Sequence, residues 1–210
     1  MRLIGLAVVF TLSLILAPRA AEAQESKAGR TVTIGYLGNS SPSLESNQVE
    51  AFREGLRQLG YVEGHNLIIK YQWAEGQQER SAVLAAELVR LKPDVILTSG
   101  TLGTLAAKQA TQSIPIVTAI VGDPVAAGLV SSLAKPGGNV TGLSTLAPEL
   151  SGKRLELFKQ AVPKLSRVVA LLNPANPFTT IAWKATQPAA DRRATAFAPL
   201  VVWPMCPSTP

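Results

Sequence analysis

The chain has one cysteine, Cys206, and one histidine, His65, in 210 residues. A lone cysteine closes no internal disulfide, so the fold must rest on an apolar core. That inventory also cannot supply a conventional zinc site or a Cys/His nucleophile pair. A Ser-His-Asp triad would have to recruit His65, which lies in "EGHN", a turn between a helix and a strand, and the GxSxG elbow is missing. A secreted hydrolase is therefore disfavoured. Charged residues make up 16% of the chain and aromatics 5%. The formal charge of +6 is scattered, with no run of lysine or arginine and no interleaved aromatics, so nucleic-acid binding has no support. Gly100 and Gly103 supply GxxG without a third glycine, and no GxxxxGKS or GxxxxGKT occurs, which disfavours a phosphate-loop enzyme. No metal or other cofactor is expected.

What is present starts with a leader. Met1 and Arg2 give a basic end, Leu3 to Leu16 is an apolar run, and "AEA" at Ala21 to Ala23 places small residues at a cleavage site. Residues 1–23 read as a secretory signal peptide cut after Ala23, so the mature product is expected to be exported and soluble. Losing two arginines and one glutamate leaves a net charge of +5. Beyond the leader no segment reaches the roughly 18 apolar residues of a membrane span. With 47% hydrophobic residues, the chain can bury a substantial core.

Periodicity then gives the organisation. "TVTIGYL" reads as a strand, and Val49, Phe52, Leu56 and Leu59 recur at helical spacing until Gly60 stops them. "NLIIKYQW" is a second strand, a helix follows with Leu84, Leu88 and Leu91 on one face, and "DVILTS" is a third strand. A helix from about Leu102 to Thr111 leads to "IPIVTAI", and another helical stretch is expected from Val125 to Leu133. Strict alternation of this kind implies right-handed crossovers and an α/β parallel sheet with helices on both faces. Residues 24–138 form a first lobe on this reading. Pro136, Gly137 and Gly138 break the pattern, and residues 139–184 hold a crossover strand, "NVTGL", then a helix with Leu155, Phe158 and Val162 and the strand "RVVALL". From Thr186 the chain carries five prolines and no sustained period, so residues 185–210 read as an irregular tail. "NVT" at Asn139 matches a glycosylation acceptor but reads as coincidence.

The composition changes abruptly at "LTSGTLGT", where an apolar strand gives way to hydroxyls and glycines. In an open parallel sheet, ligands bind beyond the carboxyl ends of the strands. Ser99, Gly100 and Thr101 fall at such an end, as do "GNSSPS" after the first strand and "VGDPV" after the fourth. Glycine admits close backbone approach, hydroxyls donate or accept, and a following helix offers free N–H groups to an anion such as a carboxylate. Each element also has a structural reading. Ser and Thr before a helix serve as N-caps, and Asp123 before Pro124 suits a turn. Their common position on one rim is what favours a cleft.

In order along the chain, "FREGLRQLGYVEGHNLIIKYQWAEG", "AAELVRLKPDVIL", "GTLGTLAAKQAT", "IPIVTAIVGDPV", "GLVSSLAKPGGNVTGLS" and "ELSGKRLELFKQAVPKLSRVVALLNPANP" resemble periplasmic substrate-binding components of bacterial ABC transporters. The likeness is to the family related to tryptophan and tyrosine binders, and it covers roughly Arg30 to Trp183. It implies a type I periplasmic-binding fold, in which two α/β lobes close on a small solute, and a membrane-embedded ABC permease as partner. Carried over by position, it assigns ligand binding to Ser40 and Ser41, to Ser99, Gly100 and Thr101, and to Asp123 in the first lobe. Ser144, within Gly142 to Ser144, would sit at the crossover and Asn173 of "NPANP" on the second lobe. Relatives continue past the position of "WKATQ" with further βα units. The expectation here is an incomplete second lobe, truncated or frame-shifted, with a nonfunctional fragment as the alternative to a working binder.

Overall fold

The computed structural model describes residues 30–145, 147–192 and 196–201. The expected leader, residues 1–23, lies outside the described residues. The chain enters at strand β1, Val32–Gly38, whose last five residues are buried. A strand covered on both faces is an almost continuous apolar run, which is how "TVTIGYL" reads. Helix α1, Ser46–Gln58, follows and ends where Gly60 takes φ 85°. There Tyr61 N–H donates to Leu56 O and Gly60 N–H to Arg57 O, the paired bonds of a Schellman stop.

Strand β2, Leu67–Trp73, leads through a single 3-10 turn, Gln78–Arg80, into helix α2, Ser81–Arg90. Strand β3, Val95–Thr98, helix α3, Thr101–Ala110, strand β4, Ile116–Val121, and strand β5, Val140–Ser144, complete the first sheet. The order is β2-β1-β3-β4-β5, and every pairing is parallel. All five carboxyl ends therefore lie on one rim. The chain direction reverses across the sheet between β1 and β3, which creates a crevice at that point of the rim.

Alternation along β1 sorts the two faces. Ile34 and Tyr36 pack with Leu67 and Ile69 against Val49, Phe52 and Leu56 of α1. Leu37 points the other way, into a cluster with Leu84, Ala85 and Leu88 of α2 and Ala106 of α3. Ile96, Ile116 and Val140 extend that second core across the sheet, closed by Ala107. His65 is exposed just before β2, at the end of the sheet opposite the carboxyl rim.

The second unit comprises helix α4, Ala147–Ala161, strand β6, Arg167–Leu172, helix α5, Pro177–Arg192, and strand β7, Ala196–Val201. β6 and β7 pair in parallel, from Arg167 opposite Ala196 to Leu172 opposite Val201. Leu155, Ala189 and Ala190 form its core, with Val168 packed against them.

Two sequence expectations differ from the structure. The segment from Val125 to Leu133 is a set of turns and not a helix. Pro124 O accepts from Leu129 N–H, Gly128 takes φ 70°, and Ser131 N–H donates to Pro136 O, so the chain folds back before a helix can propagate. The part of 185–210 read as irregular also contains regular structure: α5 runs through Pro188 to Arg192, and β7 follows. Proline removes one backbone donor and kinks a helix, but packing of Ala189 and Ala190 against Leu155 holds this turn in place. Residues 202–210 of that tail lie outside the described residues.

Candidate functional site

A cavity of about 420 Å³ opens at the reversal point between β1 and β3, within the roughly 300–1,000 Å³ typical of small-molecule sites. Its floor includes Leu97 of β3 and Ala119 of β4, next to the β1 and β2 residues that pack against α1. Tyr36 and Phe52 wall one side, their ring centroids 6.3 Å apart and tilted by 45°. Ser40, Ser99, Gln48 and Glu45 add polar atoms. A mostly apolar hollow with a few fixed polar groups can hold a small organic molecule and set its orientation.

Local hydrogen bonds fix these groups. The Asn39 amide donates to Ser99 O at 2.7 Å and to Ser99 Oγ at 3.0 Å, so the loop after β1 is tied to the loop after β3. Because Ser99 Oγ accepts from Asn39, its own proton remains available to a ligand. Glu45 is only 9% exposed. Its Oε1 accepts from Ser40 N–H at 2.6 Å and its Oε2 from the Tyr36 hydroxyl at 3.0 Å. Burial, and then the hydrogen bond to Glu45 and its charge, raise the Tyr36 phenol well above the usual tyrosine range, so it stays a donor. Behind it Tyr71 stacks on Trp73 at 5.8 Å and 4°. Gly100 takes φ 74° to turn the chain into α3, and its N–H donates to Ile120 O at 2.7 Å, joining the β3 loop to β4.

The residues singled out from the sequence divide among several roles. Ser40 and Ser99 line the cavity together. Gly100 shapes its edge through the backbone. Ser41 is turned toward Ser43, Oγ to Oγ 3.0 Å, outside the cavity. Thr101 is buried at the start of α3. Asp123 lies on the same carboxyl rim, but its Oδ1 accepts from Val125 N–H at 3.0 Å and Ala126 N–H at 2.9 Å, so it caps the turn. Ser144 lines a separate recess of about 90 Å³ beside Thr118 and Val121. Asn173 lies across the gap between the two units, where it donates to Gln78 Oε1 at 3.0 Å and borders a third hollow of about 400 Å³. Asn139 spends its amide on Thr111 O and Ile114 O, a structural use that the glycosylation pattern conceals.

Asn39, Glu45, Tyr36 and Phe52 were not singled out as site residues. Phe52 reads as an ordinary member of a helical stripe and Tyr36 as a strand residue. Asn39 adjoins the serine pair in "GNSSPS", and that adjacency was its one signal.

Phe178, at the start of α5, reaches the same rim. Its ring lies against Gly122 so closely that a methyl group there would stand 2.1 Å from Cδ2. Together with the Asn173–Gln78 hydrogen bond, this contact draws the second unit toward the carboxyl ends of the first sheet. Among the described residues no group of three or more His, Cys, Asp or Glu is placed to hold a metal, and no helix is long and apolar enough to cross a membrane.

Comparison with known proteins places this geometry. The tyrosine-binding protein of Clostridioides difficile is 37% identical over 149 residues, covering 71% of this chain and 42% of that protein. A conserved domain protein of Vibrio cholerae, 30% identical, has a TM-score of 0.74 over 82% of this chain and 58% of that one. The ABC domain of Streptococcus pneumonia in complex with L-Trp, 28% identical, has a TM-score of 0.73 over 82% of this chain and 57% of that one. The chain thus spans 42% to 58% of the length of these proteins. A leucine-binding protein of Thermotoga maritima, 15% identical with a TM-score of 0.60, shares the fold. The architecture is that of type I periplasmic binding proteins, with two strands described in the second sheet against five in the first. The family model of the ABC transporter substrate binding proteins matches residues 39–202, beyond Trp183 where the sequence likeness was drawn. The chain belongs to the ABC transporter substrate-binding protein family.

Proposed function

We propose that this chain captures a small organic solute for an ABC uptake transporter, holding it in the 420 Å³ cavity at the carboxyl rim. The observation that carries the reading is the joint placement of Ser40 and Ser99 on an aromatic-walled hollow where the sheet reverses direction. An aromatic or otherwise flat apolar body suits the space between Tyr36, Phe52 and Leu97. The tyrosine-binding relative and the L-Trp complex support that shape. The hydroxyls of Ser40 and Ser99 donate to the polar end of the solute. No bond is broken in this role, so the protein acts as a binder and not an enzyme, in the periplasm, and hands its solute to a membrane-embedded permease.

The further roles proposed for the rim are supporting ones. Gly100 and Asp123 hold the loops, and Asn173 and Phe178 bring the second unit across the opening. Calorimetry with a panel of amino acids and aromatic acids tests the reading. At least one solute should bind, and Ser99→Ala should weaken it by about tenfold, the value of one hydrogen bond. No binding across the panel, or binding indifferent to Ser99→Ala, counts against it.

A further inference from the structure

We infer that Glu45 makes the cavity selective for a solute that carries a protonated amine. This rests on the solute-binding reading and narrows its ligand class. Glu45 is nine-tenths buried and lines the cavity directly. None of the ion pairs among the described residues involves it, and no lysine or arginine lines the cavity. A buried carboxylate without a cation is costly, and a partner charge relieves that cost.

The carboxylate has capacity to receive one. Its two oxygens offer about four lone-pair positions. One is taken by Ser40 N–H and one by the Tyr36 hydroxyl. These two donors fix its orientation and leave acceptor positions for an ammonium group. The aromatic rings of Tyr36 and Phe52 both belong to residues on the cavity wall, where a ring can add cation–π attraction for the same charge. A solute anion with no amine meets the carboxylate with nothing to offset it. A zwitterion places its amine at Glu45 and its carboxylate toward the hydroxyls of Ser40 and Ser99.

The two bonds that Glu45 makes within the protein also brace the β1 loop, so the test must separate charge from scaffolding. Calorimetry on the full chain compares L-tryptophan, tryptamine and 3-indolepropionate, which differ in the amine and the carboxylate but share the ring. Wild type should bind the two amines more tightly than 3-indolepropionate by roughly tenfold to a hundredfold, the span of hydrogen bonds to charged groups. Glu45→Gln, which keeps the shape and the ability to accept from Ser40 N–H, should abolish that preference and leave 3-indolepropionate unchanged or tighter. Tyr36→Phe removes one brace and keeps the charge, so the preference should survive in it. If Glu45→Gln weakens all three ligands equally, Glu45 is a scaffold residue and the inference fails alone. If wild type binds these three and a wider solute panel not at all, the solute-binding reading falls and the inference with it.

Discussion

The side-chain amide of Asn39 lies 2.7 Å from the carbonyl oxygen of Ser99 and 3.0 Å from its hydroxyl. One side chain thus sets the spacing of the two loops that flank the reversal point of the sheet. Replacing it tests whether the cavity depends on that spacing. Asn39→Ala removes both bonds and should cost about 1–2 kcal/mol of stability in urea unfolding. It should also weaken solute binding by more than Ser41→Ala, whose hydroxyl points away from the cavity.

Gly38 ends β1 beneath Trp73. A Cβ at this position would stand 2.3 Å from one indole carbon and 2.4 Å from the next, so the ring must leave its stack on Tyr71. Gly38→Ala should shift the tryptophan emission and near-ultraviolet circular dichroism. A cost of about 1–3 kcal/mol is expected, as for other overpacked sites.

Gly122 meets Phe178 with no room for a methyl group. Gly122→Val should push the start of α5 off the rim and leave the first sheet folded. Small-angle scattering should report a larger radius of gyration. Solute should dissociate faster by about tenfold, because affinity changes within one site fall mainly on the off-rate.

Tyr36 links protonation to stability. Its folded-state pKa is raised, chiefly by burial and then by Glu45, so the native state holds the phenolic proton more tightly than the unfolded chain. The resulting stabilisation is full below the unfolded value of about 10 and is lost as pH rises above it. Tyr71 is raised in the same direction, by burial first and then by Glu63. Urea midpoints should therefore fall from pH 9 to pH 11. The fall should be shallower in Tyr36→Phe, which has no proton to lose at that site.

The parts of the fold that follow one period over a full element were legible beforehand. The stripe Val49, Phe52, Leu56 and the run "TVTIGYL" both lie where the sequence reading put them, because burial on one or two faces dictates their pattern. Val125 to Leu133 has apolar residues but no helix. Its geometry is set by Pro124, Gly128 and the return bond to Pro136, which composition does not rank against helix propensity. Ser40 and Ser99, which line one cavity, both lie in loops that the strand ends marked out. Asp123 looked equivalent to them, yet its carboxylate is consumed by the two amides of its own turn. No motif or spacing in the sequence marks Glu45. Only the path of β1 and its loop reveals that it turns inward to Tyr36 and Ser40.

The position of β1 between β2 and β3 also governs how the first unit assembles. Thr98 reaches back 61 residues to bond Leu37 O, and β1 gains its second neighbour only when β3 arrives. Such distant pairings raise the relative contact order and slow folding, because loop closure comes before the contacts that reward it. β1 is therefore secured on its second edge by the pairing of longest sequence separation in this sheet, and refolding should proceed through a slow, single commitment step.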